Sequence, residues 1–378
     1  MIDNKSLNGY LTWAEIDLKA IARNVQAVKK RLDPTVGVMA VVKANAYGHG
    51  AVEVARAALA AGAEWLAVNR VEEGVALRQA GIEARTLVLG YCPPGQAGLV
   101  VEHNITPAVT TLDTAEALAE RAQQLDREFV IHVKIDTGMG RLGLLPEEAV
   151  DFVGALAEFS GLKIEGVFSH LATADDPDPS FSRRQLQVYQ DVTQALEAAG
   201  IEIPLHHLAN SAAGLQLPET HHHLVRLGVA MYGLTPSIKL DLPVELRPAM
   251  TLKTRVARLR VLPAGAAVGY GRTFVAPEPT AVALAPVGYG DGYPRLCSNR
   301  GEMLVRGQRA RVIGAVSMDQ TSLDVSGIDD VSQDDEIVVF GRQGEAEISA
   351  EEVARWAETI NYEIVTRLAA RVPRIYLE

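Results

Sequence analysis

Between residues 36 and 231 the chain alternates short apolar runs, rich in β-branched residues, with longer segments whose apolar positions recur every third and fourth residue. The runs occupy 36–44, 65–69, 86–90, 107–110, 129–136, 164–170, 205–210 and 224–231. Continuous apolar stretches of this length, bounded by turn formers, predict strands buried on both faces, as in a parallel sheet. The intervening segments, such as AVEVARAALAAG, VEEGVALRQAG, TAEALAERAQQL and PEEAVDFVGALAEF, predict amphipathic helices that mostly close near glycine. Eight βα units over about 200 residues have the dimensions of a TIM-type (β/α)8 barrel, although a doubly wound open sheet gives a similar alternation. The segment WAEIDLKAIARNVQAVKKRL, ahead of the first run, supplies the helix needed to close a ring.

Beyond Pro248 the pattern changes to short strands broken by Gly, Pro and Asp: TLKTRVARLRVL, AAVGYGRTF, TAVALAPVGYGDGY, EMLVRGQRARVIGAV, TSLDV and DEIVVF. This predicts a mainly antiparallel β domain in which only residues 350–359 look helical. The joint falls around 236–249, dividing the chain into a barrel over 12–240 and a β domain over 241–378, joined by residues 1–11. The full 378 residues are 48% hydrophobic and 22% charged, in the range of a folded globular protein. Lys and Arg number 36 against 47 Asp and Glu, so the net charge of −11 repels nucleic acid and anionic lipid, and neither is an expected partner. No apolar stretch has the length of a signal peptide or a membrane span, which predicts a cytoplasmic protein. Cys92 and Cys297 stand far apart and are expected as reduced thiols, with no metal half-site.

Reacting groups of a parallel barrel sit at the carboxyl ends of its strands. The first run is apolar until Lys43. Lys134, Asp136 and Arg141 follow the fifth, Ser169 and His170 the sixth, Asn210 and Ser211 the seventh, and Arg226 belongs to the eighth. A lysine at the end of a buried strand either snorkels to solvent or is a desolvated nucleophile. Ser211, followed by small residues, and Gly228 could bring N–H groups to an anion, although Asn and Ser are also ordinary helix caps. A lysine and a phosphate seat together raise the possibility of pyridoxal phosphate. The run His221–His223 cannot converge on one ion and is expected as a solvated loop. His206 and His207 are expected to divide between barrel interior and helix layer.

The ordered set AVVKANAYGHG (40–50), DTGMGRLG (136–143), SHLATAD (169–175), ANSAA (209–213), VRLGVAMYG (225–233), VGYGRT (268–273), VGYGDGYPR (287–295) and VSMDQ (316–320) resembles the bacterial alanine racemases. The likeness runs from TWAEIDL at 12 to NYEIVTRL at 361. It implies a pyridoxal 5'-phosphate enzyme that interconverts L- and D-alanine for peptidoglycan and works as a homodimer with shared active sites.

By this resemblance Lys43 is the Schiff-base lysine and the base for one face of Cα, and Tyr270 the base for the other. His170 and Arg226 continue a hydrogen-bonded chain from Tyr270, with Arg226 facing the cofactor's ring nitrogen. The cofactor phosphate falls to Tyr47, Ser211, Gly228, Val229 and Tyr362. The substrate carboxylate falls to Arg141 and Met318, with Asp319 shaping the site. Lys134 is the position of a possible carbamate, and Asp175, Tyr289, Tyr293 and Arg295 line the entrance. No metal is implied. An amino-acid decarboxylase would need a carboxylate to grip a long basic substrate, and a single-domain cofactor carrier would have no β domain; neither pattern is evident.

Overall fold

A computed structural model describes residues 9–378. The chain forms two compact units. One comprises Ile21–Ala46 and Ala51–Arg247; the other comprises the residues up to Ala20, Tyr47–Gly50 and Pro248–Glu378.

The first described strand, β1 (Thr12–Asp17), belongs to the second unit. The segment WAEID (13–17), expected at the start of a barrel helix, is strand instead. The Asp17 carboxylate accepts the Ala20 N–H at 2.9 Å, so the helix starts only at Leu18 and runs to Lys29. The expected barrel boundaries of 12 and 240 accordingly differ from the observed ones of 21 and 247. Residues 1–8 of the segment assigned to the β domain lie outside the described residues.

The barrel strands are β2 (Gly37–Val41), β3 (Trp65–Val68), β4 (Thr86–Tyr91), β5 (Thr106–Val109), β6 (Phe129–Lys134), β7 (Leu162–Phe168), β8 (Leu205–His207) and β9 (Leu224–Leu227). All pair in parallel, in the order β8-β7-β6-β5-β4-β3-β2-β9. An open sheet would leave β8 and β9 apart. Here Arg226 N–H donates to Ala209 O at 3.1 Å and His223 N–H to His206 O at 3.0 Å, closing the ring. β2, β3 and β9 are buried along their whole length, as strands covered by helices on one face and barrel core on the other must be.

In the second unit, β10 (Met250–Arg255), β11 (Arg258–Leu262), β12 (Ala267–Val268), β13 (Phe274–Val275), β14 (Thr280–Ala285), β15 (Glu302–Val305), β16 (Gln308–Val312), β17 (Thr321–Asp324), β18 (Glu336–Gln343), β19 (Ala346–Ile348) and β20 (Arg374–Leu377) follow. The main path is β11-β14-β17-β16-β15-β18-β10-β1-β20, with β19 on β18 and a separate β12-β13 pair. Its ladders are antiparallel except β1 with β20. Arg306 and Gly307, with φ of 51° and 74°, make the two-residue turn that joins β15 to β16. A second helix, Asn361–Thr366, was not expected, because NYEIVT is rich in residues that favour strands. No helix among the described residues is long and apolar enough to cross a membrane.

Tyr47–Gly50 group with this unit through close packing. Gly48 has φ +85°, its carbonyl accepts from Arg374 Nε at 3.0 Å, and a Cβ added there would overlap the Val365 carbonyl. Gly48→Ala is therefore expected to destabilise the protein by about 3 kcal/mol, combining left-handed strain with overpacking. A urea unfolding midpoint equal to that of the unsubstituted protein would contradict this packing.

Candidate active site

Lys43 leaves the buried end of β2 and is followed by four consecutive residues in the left-handed region, Ala44, Asn45, Ala46 and Tyr47, with φ of 53°, 52°, 52° and 53°. Left-handed backbone costs roughly 1–2 kcal/mol per non-glycine residue, so a run of four persists only where the surroundings hold it. Ala44 N–H donates to Glu73 Oε1 at 2.6 Å, Ala46 N–H to Val42 O at 2.9 Å, and Ala51 N–H to Asn45 Oδ1 at 2.9 Å. Glu73 Oε2 also takes the Asn69 and Arg70 N–H groups, tying the next βα loop to the same carboxylate. Burial lowers the Lys43 pKa, the Arg141 and Arg226 charges lower it further, and Glu73 opposes them.

Arg226 is the centre of the barrel mouth and is 3% exposed. Its Nη1 donates to His207 Nδ1 at 2.9 Å and His207 O at 3.1 Å. Its Nη2 donates to Ser169 O at 2.7 Å, Leu208 O at 2.9 Å and His170 Nδ1 at 3.1 Å. An arginine cannot accept, so His170 Nδ1 must be the acceptor, and the proton of this neutral imidazole sits on Nε2. Burial, then the charges of Arg226, Arg141, Lys134 and Lys43, hold the His170 pKa well below the usual histidine range.

Lys134 ends β6, buried, with Nζ 3.5 Å from Leu89 O and 5.4 Å from the Phe168 ring. The turn after it is built on Asp136. One carboxylate oxygen accepts from Gly138, Met139 and Gly140, the other from Arg141 N–H at 3.0 Å. Burial alone would raise the Asp136 pKa, but the four N–H donors outweigh it and the net shift is downward. The turn thereby fixes the backbone from which the exposed Arg141 projects.

Beside Arg226, the Ser211 hydroxyl accepts from Gly228 N–H at 2.8 Å and Ala230 N–H at 3.4 Å. Asn210 caps the short helix Ser211–Gln216 through Ala213 N–H. Ser211, Gly228 and Val229 thus form a compact buried seat. Asp175 lies exposed beyond β7. His207 is in the barrel interior, and His206 bonds Ile203 O and faces Tyr189 of a surrounding helix. The run at 221–223 is not the solvated loop expected, since His221 is buried against Gly214 O at 3.1 Å.

Within the β unit, the Tyr47 and Tyr362 rings lie 6.2 Å apart. Tyr270 stands between Gly269 and Gly271, both at φ 72°, in the turn linking β12 to β13, and is 75% exposed. The loops of Tyr289 and Met318 are clasped together: Tyr289 N–H donates to Ser317 O and Gly290 N–H to Met318 O. Arg371, which the sequence did not single out, bridges Asp291 at 2.8 Å and Asp319 at 2.6 Å. Met318, Tyr289 and Arg295 are exposed. Tyr293 is 1% exposed beside Cys297, which is a core position of this unit.

The family described as alanine racemase, N-terminal domain, matches residues 16–236, and that described as alanine racemase, C-terminal domain, matches 249–376. An alanine racemase of Desulforamulus reducens is 47% identical over 97% of this chain and 98% of its own length. One of Symbiobacterium thermophilum is 47% identical over 97% of each chain. The crystal structure of the alanine racemase of Streptomyces lavendulae superposes with a TM-score of 0.93 at 42% identity, covering 98% of both chains.

Burial first, then Arg226, Arg141 and Lys43, pushes the Lys134 pKa down to about 8. An unfolded lysine titrates near ~10.4, so between these values the unfolded chain holds a proton that the folded chain has released, and stability rises with pH. In CO2-free buffer, Lys134→Met is expected to be more stable than the unsubstituted protein at pH 7. That advantage shrinks from pH 8 upward by at most about 1.4 kcal/mol per pH unit. A gap that stays constant in urea unfolding from pH 7 to 10 would refute the shift.

Proposed function

This chain belongs to the alanine racemase family, and we propose that it interconverts L-alanine and D-alanine with pyridoxal 5'-phosphate, in the cytoplasm, as a supply of D-alanine for peptidoglycan. The observation that carries the reading is the kinship along nearly the whole chain with relatives that bear this one name.

The residues present fit the cofactor. Lys43 is a half-buried amine with a lowered pKa. Ser211 offers a hydroxyl proton and Val229 a backbone N–H for a phosphate, with the Gly228 N–H, which donates to the Ser211 oxygen, orienting that hydroxyl; the resemblance assigns the phenols of Tyr47 and Tyr362 to the same task. Arg226 offers a donor that does not readily lose its proton to a ring nitrogen. When bound, pyridoxal phosphate would supply an aldehyde for the substrate or lysine amine and a conjugated ring that delocalises the electron pair left by Cα–H cleavage.

Inverting Cα requires removing a proton on one face and delivering one on the other. Lys43 serves one face. Tyr270, contributed by the second subunit of a homodimer, serves the other. Because His170 carries its proton on Nε2, it can donate to a phenolate oxygen, and this is how it would assist Tyr270. Arg141 pairs with the substrate carboxylate through its planar fork, and the Met318 N–H adds a donor there. Asp319 shapes the same pocket, its carboxylate held by Arg371. With its pKa near 8, Lys134 has an accessible neutral form. That nitrogen can bond to the carbon of CO2 and release its proton to solvent, creating a carbamate that faces Arg141. Asp175, Tyr289 and Arg295 line the entrance. Tyr293 supports that loop from within, a change from the sequence expectation that follows from its burial.

The test is the loss of circular dichroism when L-alanine is incubated with the holoenzyme. Tyr270→Phe is expected to lower kcat in both directions by roughly 10²–10⁴-fold while the visible absorption of the bound cofactor persists. Lys43→Ala removes that absorption. Full activity in the phenylalanine variant would eliminate Tyr270 as a base.

A further inference from the structure

Below the mouth, the barrel interior holds a file of polar side chains where a parallel barrel ordinarily packs branched apolar residues. His207 Nε2 lies 3.0 Å from His132 Nδ1, and both imidazoles are fully buried. His132 Nε2 faces Glu165 Oε2 at 3.5 Å, an ion-pair distance, and neither atom has a hydrogen-bond partner among the described residues. Glu165 is in turn ion-paired with Arg85, whose guanidinium lies over the Trp65 ring at 4.0 Å.

The direction of every proton in this file follows from one end. Arg226 Nη1 can only donate, so His207 Nδ1 accepts and the His207 proton is on Nε2. That proton points at His132 Nδ1, which must accept, placing the His132 proton on Nε2 and aiming it at the Glu165 carboxylate. Arg226 therefore donates two ways: towards the mouth through His170, and towards the barrel floor through His207 and His132 to a negative charge.

The fold makes room for the file. Gly166 of β7 pairs with His132 of β6, and a Cβ at Gly166 would lie 2.6 Å from His132 Cε1. Phe168 stacks on His207 with centroids 4.7 Å apart and planes 6° apart, fixing the ring's tilt. Burial pushes His132 down to about 3 and His207 well below the usual range, so both stay neutral at working pH.

We propose that His207 is a positioning residue for Arg226, and that His132 and Glu165 hold His207 in the tautomer that accepts from the guanidinium. This rests on the reading of the chain as a racemase in which Arg226 meets the cofactor ring. Without the Nδ1 acceptor, Nη1 keeps only the His207 carbonyl and the planar fork is free to turn. A donor out of line leaves the ring nitrogen open to protonation, and the electron sink strengthens. Proton return to the wrong carbon, which ends in transamination, then increases.

Three substitutions at 207 separate positioning from packing. Asn places an oxygen near the Nδ1 position, Gln reaches instead toward the Nε2 position, and Phe copies the ring without its polar atoms. In the holoenzymes, kcat and KM for L-alanine, pyruvate formed per racemisation, and thermal midpoint are measured together. His207→Phe and His207→Gln are expected to lower kcat about 10- to 100-fold, with KM changed less than about twofold and pyruvate formation raised. His207→Asn is expected to retain kcat within about threefold. His132→Phe, which removes the acceptor for His207 Nε2, is expected to shift kcat and pyruvate the same way.

Packing alone predicts the reverse order, with Phe tolerated best; that order, or equal losses in all three, overturns the proposal. Should His207→Phe fail to fold, Gln performing as well as Asn overturns it. An unaffected His132→Phe removes His132 and Glu165 from it. An unsubstituted holoenzyme that does not racemise alanine overturns the functional reading itself, and the positioning role falls with it.

Discussion

A guanidinium taken out of water keeps its charge and its donors, and the fold around it has to supply acceptors. Arg226 imposes that demand on the barrel. Two segments, residues 169–170 after β7 and 207–208 at the end of β8, answer it with three carbonyl oxygens and two imidazole nitrogens. Its presence then dictates the tautomer of each histidine it touches and lowers the pKa of Lys43, Lys134 and His170. Burial is the first cause of the low pKa values of these neighbouring bases, and the arginine's charge lowers them further, where an aspartate would have had the opposite effect.

The second constraint is conformational. A lysine at the end of a buried strand would ordinarily be followed by a right-handed helix, and the four left-handed residues after Lys43 instead turn the chain abruptly. Glu73, by accepting from Ala44, Asn69 and Arg70, spreads the cost of that turn over two βα loops. The strain is local and the restraint is distributed, which is the arrangement that keeps a reactive amine from wandering.

Much of this architecture was legible from the sequence. The eight parallel strands announce themselves as apolar runs, and Lys43, Lys134, His170, Ser211 and Arg226 stand out as polar residues at or near strand ends. What remained hidden is instructive. In FVIHVK, His132 sits among residues that all read as core, and its partners at 165 and 207 are remote in sequence, so no local pattern marks the pair. KANAY contains no glycine, and nothing in its composition signals a left-handed turn. β1 was absorbed into a helix because WAEID and the true helix LKAIARNVQAVK form one amphipathic-looking stretch, although Asp17 as a cap was available as a boundary. Arg371 reads as an ordinary surface cation until Asp291 and Asp319 are seen on either side of it.

The place of β1 in its sheet has a consequence for synthesis. β1 lies between β10 and β20, in parallel with residues 374–377, so the edge that β20 covers stays unpaired until the barrel and the rest of this sheet have been synthesised. All eight barrel strands are translated well before that edge is covered, and an exposed strand edge is a template for pairing with another nascent chain. A chain paused before β20 is made would therefore carry all eight barrel strands while one edge of β1 is still open to pairing.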